Sequence, residues 1–344
     1  MYMPPPPPRS QDASAGLDHR YARRIPPARL YCFAGAYVLG AEGAVLSRDN
    51  RFFSEFTYHT DGRVRDDRYL GPFATVRTDE PRVREWVALL AAPGARTNHY
   101  HWLFDLLPRI HLLGDARALV ERYAVPVLGT EVQRRSLERL GIPAVAVLPL
   151  EDRSKVYCER LLVPSLPGGI GAVPAWVATF LRDAFCTVGA DPRPRHRLYI
   201  ARGDALHRRI VNEPELVAAL AQWGFATVRL AELSFDEQVR VFEDAEIVVG
   251  AHGAGLANLV FASDCAVVEI FAPDYLVWSD CFFTLARLLG HPHASIVGEP
   301  SGPGPGDVRV SIPAVLAAVS AADRRTTARA ESVRRTPRLA SHTG

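Results

Sequence analysis

Lysine and closely spaced cysteines are nearly missing from this chain of 344 residues. Lys155 is the only lysine and the net charge is +2, so no strong field favours nucleic acid or an anionic membrane. The five cysteines are scattered and form no C-x-x-C pair, which argues against a zinc knuckle or a disulfide framework. No run of about 18 apolar residues is available to span a bilayer. With 48% hydrophobic residues, the composition is that of a globular protein long enough for two domains.

The two ends of the chain differ in composition from its centre. Residues 1–29 are rich in Pro and Arg and include five consecutive prolines, which predicts a disordered leader. No apolar core of a signal peptide opens the chain, so we expect a cytoplasmic protein, with attachment to the inner face of the membrane as a compatible variant. Residues 321–344 are polar and Arg-rich, which predicts a disordered tail. The Pro/Gly stretch 164–171 predicts a hinge between an N-terminal domain, residues 30–170, and a C-terminal domain, residues 171–320.

The most informative stretch of the chain is 245–271. A Val- and Ile-rich run ending at Gly250 is typical of a strand buried on both faces. A nearly side-chain-free turn, 252–255, follows and leads into a helix, a geometry that aims backbone N–H groups at an anion. A second buried strand, 266–271, carries Glu269, an acid suited to ribose hydroxyls. The pattern predicts a nucleotide site, although glycines at such a turn also occur simply for close packing.

Strands and helices alternate around this stretch. The strand at Leu198 ends at Arg202, and further helices and strands lead up to 245 and continue to 289. This order predicts a doubly wound parallel sheet whose strand ends converge on one crevice. No G-x-G-x-x-G follows the Leu198 strand, which argues against a dinucleotide-dependent oxidoreductase.

A second informative stretch, NHYHWLFDLLPRIHLL, covers 98–113. His101 and Asp105 lie one helical turn apart on one face, opposite a thick apolar face, and can present a base to a cleft. The structural alternative has His101 hydrogen-bonded within the core and Asp105 paired with Arg109 at i,i+4. His99 and His101 point apart on a helix, so their spacing does not favour a metal site.

Together these motifs resemble glycosyltransferase family 61. The matching residues are NHYHWLFDLLPRI from Asn98, R-x-Y-I-x-R from Arg197, RIVNE from Arg209, and LSFDEQVRVFEDAEIVVGAHGAGLANLVF from Leu233 through VVEI. They cover roughly residues 95–275 in the family's order. The family includes bacterial capsular polysaccharide proteins and eukaryotic xylosyl- and N-acetylglucosaminyltransferases.

The resemblance implies an α/β fold of the GT-B type, with two Rossmann-like domains facing across a cleft. It further implies an inverting, metal-independent transferase that uses a UDP- or GDP-sugar bound mainly by the C-terminal domain. The base would come from the N-terminal domain, where we favour His101 over Asp105 because histidine is neutral near pH 7. The residues expected to bind the nucleotide-sugar are Arg202, Arg209, His252, Gly253, Ala254, Gly255, Leu256, Asn258 and Glu269.

The expected partners are a nucleotide-sugar and a glycan or lipid-linked hydroxyl acceptor, in surface or capsular polysaccharide synthesis. We expect no nucleic acid partner and no transmembrane segment. Because a fold does not fix a function, a non-catalytic nucleotide-sugar-binding scaffold on the same fold is the alternative.

Overall fold

The structure is a computed structural model that describes residues 25, 27–49, 51–53, 56, 81–168, 171–187, 195–202, 207–273 and 280–335, with side chains to residue 324. Contacts within the chain divide it into two units. The first unit takes the described residues up to 187 together with Leu233–Arg240, and the second takes 195–232 and those from 241 onward. The division therefore falls beyond the stretch 164–171. Most of the predicted leader lies outside the described residues.

In the described part of the chain, the first unit is built on a seven-stranded mixed sheet. Its strands are β1 (Leu30–Phe33), β2 (Ala36–Leu39), β3 (Ala44–Ser47), β4 (Arg82–Leu89), β5 (Arg122–Pro126), β6 (Val147–Leu150) and β7 (Lys155–Pro164). The order is β3-β2-β7-β4-β5-β6, and β1 also pairs with β7. Strands β7, β4, β5 and β6 are parallel, whereas β1, β2 and β3 pair antiparallel. Only four residues join β2 to β3, too few for a parallel crossover, so this unit is α/β without being purely parallel.

A long irregular helix, called here the 99–119 helix, carries the second predicted motif. It begins as an α-helical turn at His99–His101, continues as a π-helix at Trp102–Leu106, and ends in the 3-10 segment Leu107–Leu119, which is kinked at Gly114. The sequence predicts a kink or an end at Pro108, but the helix passes through it. Pro108 has no N–H, and the Leu107 N–H just before it reaches back to the Trp102 carbonyl, a π-type bond that absorbs the irregularity. The other helices of this unit are α1 (Glu131–Arg139), α2 (Ala175–Phe185) and a 3-10 turn at Ala144–Ala146.

The second unit contains a five-stranded sheet in which every pairing is parallel, as the sequence predicts. Its strands are β8 (His196–Ile200), β9 (Phe225–Val228), β10 (Ala245–Ala251), β11 (Ala266–Phe271) and β12 (His293–Val297), in the order β12-β11-β10-β8-β9. The other elements of this unit among the described residues are α3 (Glu213–Ala221), a 3-10 turn (Leu230–Glu232), a 3-10 helix (Ala254–Phe261), α5 (Cys281–Leu289), the short pair β13 (Glu299–Pro300) and β14 (Val308–Arg309), and α6 (Ile312–Arg335). Helix α4 (Phe235–Glu243) is divided, because its residues up to Arg240 belong to the first unit.

Helix α6 departs from the sequence expectation. It runs to Arg335, past residue 321, where the polar composition predicts disorder. Val315, Val319 and Ala322 are buried at helical spacing in the core of the second unit, so the helix is anchored across the predicted boundary.

The two faces of the parallel sheet have different roles. Alternate residues of β10 and β11, such as Val249 and Ile270, share a core with α6. The opposite face carries Gly250 and Glu269, which are register partners in β10 and β11. No helix among the described residues is both long enough and apolar enough to cross a membrane.

Candidate functional site

The strand order of the second unit marks where a ligand would bind. After β8 the chain moves to one side to form β9, then returns past β8 to form β10 on the other side. In open α/β sheets, ligands bind at such a reversal, in the crevice outside the carboxyl ends of the strands. Arg202 follows the end of β8, and His252 and Gly253 follow the end of β10, so the structure brings these predicted residues to the reversal point.

The turn after β10 leads directly into the 3-10 helix Ala254–Phe261. Gly253 is the residue before this helix, and no side chain of the described residues caps it. The first N–H groups of a helix have no partner within the helix, so they are available to an anion. Ala254 and Gly255 are half-buried and remain accessible at this end, whereas Leu256 and Asn258 are buried. Leu256 and Asn258 therefore support the turn from inside, and only the N-terminal part of the predicted motif faces outward.

Packing of neighbouring side chains explains both glycines of the turn. The Arg202 guanidinium lies against Gly253, and a Cβ at that position would overlap its Nη1 atom. A Cβ at Gly255 would come within 2.7 Å of the Leu230 Cδ1 atom. The glycines thus let a cation and an apolar side chain approach the start of the helix.

The backbone of Arg202 is held by a carboxylate at the start of α3. The Arg202 N–H donates to Glu213 Oε1 at 3.0 Å, and the Tyr199 hydroxyl donates to the same oxygen at 2.8 Å. Burial, followed by the adjacent Glu213 charge, raises the pKa of Tyr199 above its usual range, so Tyr199 stays a hydrogen-bond donor. These bonds fix the point from which the Arg202 side chain extends to the glycine turn.

Glu269 lies at the centre of a buried chain of three polar side chains. Its Oε1 is 2.6 Å from Nδ1 of His252, and its Oε2 is 2.8 Å from Nε2 of His293. The Glu269 side chain is 0% exposed and that of His252 is 13% exposed. The His252 ring also packs against Phe271 and Phe282.

This arrangement gives Glu269 different surroundings from those that the sequence predicts. The sequence predicts an acid that faces the crevice and binds ribose hydroxyls, but the carboxylate is enclosed and both oxygens bond to histidines. A carboxylate buried in a strand needs such partners, because leaving it without them would be costly. Of the three hydrogen-bonded side chains, that of His252 is the most exposed.

Arg209 is engaged by an acid from the loop before β14. Its Nε and Nη2 lie 3.1 and 2.8 Å from Asp307 Oδ2, and its backbone N–H donates to Asp307 Oδ1 at 2.9 Å. These bonds from Arg209 lower the pKa of Asp307 to about 2. The Arg209 side chain is still 42% exposed, so it presents a fixed cation at the surface of the second unit.

In the first unit, the 99–119 helix carries His101 and Asp105 one turn apart, and their side chains are in contact. His101 Nδ1 is 2.6 Å from Asp105 Oδ2, with the histidine side chain 18% exposed and the carboxylate nearly buried. Gly94 adjoins the ring, since a Cβ there would lie 2.9 Å from His101 Cδ2. Asp105 sits in the π-helical stretch, and such stretches are frequent at functional sites.

Arg109 does not form the hydrogen-bonded pair with Asp105 that the structural alternative requires. Its guanidinium is fully buried and donates to the backbone carbonyls of Pro164 and Ala91. Burial lowers the pKa of Arg109 to about 9, and the nearby Asp105 charge opposes that shift. Arg109 therefore fastens the helix to the sheet, while Asp105 bonds His101. A second anchor is the Trp102 indole N–H, which donates to Ser136 Oγ in α1 at 2.9 Å.

Among the residues that the structure describes, no group of three or more His, Cys, Asp or Glu side chains is arranged to hold a metal ion. In the His252, Glu269 and His293 chain, each ring nitrogen faces a carboxylate oxygen rather than a common point.

Comparison with known proteins shows one family and several partial relatives. Residues 99–268 match the family model described as Glycosyltransferase 61. A segment of 90 residues is 39% identical to the EGF domain-specific O-linked N-acetylglucosamine transferase of Gallus gallus, covering 24% of this chain and 16% of that protein. The Mus musculus protein of the same name is 36% identical over 100 residues, or 27% of this chain and 18% of that protein. The Beta-1,2-xylosyltransferase of Arabidopsis thaliana is 32% identical over 96 residues, or 24% and 17%.

These similarities cover a limited part of each protein. The aligned segments span less than a fifth of the length of the curated relatives. The family match, in contrast, runs from the start of the 99–119 helix through the first half of β11 and takes in His101, Asp105, Arg202 and the glycine turn. The resemblance to glycosyltransferase family 61 is confirmed over residues 99–268, which match the model of that family.

Proposed function

We propose that this protein is a glycosyltransferase that transfers a sugar from a nucleotide-sugar, a UDP- or GDP-sugar, to a hydroxyl acceptor. One observation carries the proposal: a guanidinium lies against a side-chain-free turn at the start of a helix, at the reversal point of a parallel sheet. Two features thus favour an anion at the same place, and the family match supports a diphosphate as that anion. The names of the relatives support sugar transfer as the reaction.

In the proposed complex the diphosphate lies against Gly253, Ala254 and Gly255. Arg202 neutralises the charge that develops on the leaving diphosphate, and fixed donors of this kind need no reorganisation during the reaction. Arg209, held by Asp307, supplies a further cation, and His252 contacts the nucleotide from beside the turn. These cations and the helix terminus take over the role that a metal ion plays in other transferases.

The proposed chemistry is inverting and uses His101 as the base. Nε2 of His101 takes the proton of the acceptor hydroxyl, whose oxygen bonds to the anomeric carbon while the bond from that carbon to the diphosphate breaks. Asp105 bonds Nδ1 and so orients the ring, which is the usual task of such a carboxylate. The proposed fold class for this chemistry is GT-B. The proposed acceptor is a glycan or a lipid-linked hydroxyl in cytoplasmic surface-polysaccharide synthesis.

The direct test of the binding site is to fill the space above the turn. In Gly253→Ala the new Cβ displaces the Arg202 guanidinium. We expect UDP or GDP, whichever binds the wild type, to bind at least about tenfold more weakly, which corresponds to one lost charge-assisted bond. Isothermal titration calorimetry measures this. Gly129→Ala is the matched control, because its Cβ would meet nothing nearer than 4.0 Å. Equal affinity of Gly253→Ala and the wild type would remove the turn from the site.

A separate assay distinguishes the transferase from a non-catalytic binding protein. Nucleotide-sugars that bind are incubated with an array of glycan and lipid-linked acceptors, and mass spectrometry follows the sugar. The transferase proposal predicts a product one sugar heavier, with one nucleoside diphosphate released for each transfer. Tight binding without transfer to any acceptor would favour the scaffold.

A further inference from the structure

His293 lies outside the family match and in none of the sequence motifs, yet it completes the polar chain that ends at the glycine turn. It is the first residue of β12, and its register partner in β11 is Val267. Residues two apart on a strand share a face, so His293 and Glu269 project on the same side of the sheet. This is also the side of Gly250, the register partner of Glu269, two residues before His252.

The two histidines hold the Glu269 carboxylate from opposite oxygens. An ionised carboxylate only accepts hydrogen bonds, so with Glu269 in that form His252 Nδ1 and His293 Nε2 both donate to it. The terminal torsion of a glutamate is broad, and one bond alone leaves the carboxylate free to rotate. With both oxygens bonded, the carboxylate plane is fixed, and Oε1 is aimed at His252.

Among the described residues, the rings that pack against these two histidines are those of phenylalanines. His252 packs against Phe271 and Phe282, and His293 packs edge-on to Phe283 with ring centroids 5.6 Å apart. These rings have no polar atoms, so the orientation of His252 rests on its bond to Glu269. A proton fixed on Nδ1 leaves Nε2 of His252 as the nitrogen that a ligand meets.

We infer that His293 is a positioning residue for nucleotide binding, which acts through Glu269 to fix the ring and tautomer of His252 beside the glycine turn. The inference rests on the proposed function for its ligand, a nucleoside diphosphate. The positioning itself is a property of the free protein and can be measured without a ligand.

The test compares two substitutions of His293, of which one keeps a side-chain N–H donor and the other does not. His293→Gln keeps a side-chain N–H within reach of Glu269, whereas His293→Leu removes it at similar volume. We expect His293→Leu to bind UDP or GDP, whichever binds the wild type, about tenfold more weakly and His293→Gln to stay within about threefold. His196→Leu is the matched control, since the His196 ring bonds the Val241 carbonyl at the start of β8, and the glycine turn adjoins the other end of that strand. Circular dichroism confirms that each variant is folded.

Two further measurements separate positioning from a merely structural role. In the His252→Ala background, His293→Leu should cause no additional loss of affinity, because its effect passes through His252. Long-range ¹⁵N spectra of the unliganded full chain should show His252 protonated on Nδ1 in the wild type and in His293→Gln, with that signature lost in His293→Leu.

The outcomes are distinct. A tenfold loss that persists in the His252→Ala background, or an unchanged His252 spectrum in His293→Leu, overturns the inference. If the spectra change as expected but neither UDP nor GDP binds the wild type, the positioning stands and the proposed function fails.

Discussion

Each unit carries a histidine whose Nδ1 lies 2.6 Å from a buried carboxylate: His101 beside Asp105, and His252 beside Glu269. In both, the carboxylate comes from an element fixed by packing, and the ring is the more exposed member. The chemistry that each ring can perform depends on what approaches Nε2. Next to an anion site His252 suits binding, whereas His101, in the other unit, suits proton transfer to or from an acceptor hydroxyl.

The first residue-scale prediction concerns the base. His101→Ala should lower the rate of sugar transfer by about 10²–10⁴, because a positioned base contributes a factor of this size. Asp105→Asn should lower it less, since the ring remains while its orientation weakens. Steady-state transfer kinetics and nucleoside diphosphate affinity are measured separately. Retained transfer in His101→Ala, or an equal loss of donor affinity, would contradict the assignment.

The second residue-scale prediction concerns the planar guanidinium group of Arg202. Arg202→Lys keeps the charge but loses the planar guanidinium that lies against Gly253. Turnover should fall by about tenfold or more while the fold is retained, because the amine cannot reproduce bidentate bonds to a diphosphate. Arg195→Lys, near the opposite end of β8 and paired with Asp264, is the control. If both lysine variants turn over like the wild type, Arg202 has only a structural role.

At the scale of elements, the sequence predicts structure that neighbouring residues form and misses contacts between residues far apart in the chain. Strand β10, the glycine turn and strand β11 are visible as two apolar runs around a side-chain-free stretch, and their positions are confirmed. The sequence does not reveal that Glu269 bonds His293. The two residues are 24 positions apart, and the pairing of β11 with β12 brings them together. A single histidine at a strand start carries no signal of that contact.

The same limit applies to the other candidate residues. Arg209 and Asp307 are 98 residues apart, so their pairing is invisible to spacing. The contact between His101 and Asp105, four residues apart, follows from the helical spacing visible in the sequence, whereas the π-helical form of Trp102–Leu106 does not. Helix α6 passes residue 321 because its buried face outweighs a polar composition that by itself predicts disorder.

The loop that supplies Asp307 gives a prediction for pH dependence. Hydrogen bonds from Arg209 lower the pKa of Asp307 to about 2, below its value of about 3.9 in an unfolded chain. A depressed folded-state pKa contributes stability that is present above the unfolded value and is lost as pH falls from about 4 to about 2. Urea unfolding measures the free energy of unfolding of the wild type and of Asp307→Asn. The difference between them should be constant from about pH 7 to about pH 5 and should shrink below about pH 5.

A second variant checks the cause of this effect. In an Arg209→Met background the Asp307→Asn change should give a much smaller pH-dependent difference, because Arg209 is the main cause of the lowered pKa. A gap that widens as pH falls would contradict the account, and a gap unchanged in the Arg209→Met background would assign the effect to other groups.

At the scale of the whole molecule, the central claim is that the second unit alone holds the nucleoside diphosphate, at the turn beside Arg202. Hydrogen–deuterium exchange of the full chain, with and without saturating UDP or GDP, tests this most directly. The account predicts that the nucleotide which binds slows exchange most in peptides covering 250–258, where the N–H groups of the turn meet the diphosphate. Protection confined to the 99–119 helix, or no protection by either nucleotide, would contradict it.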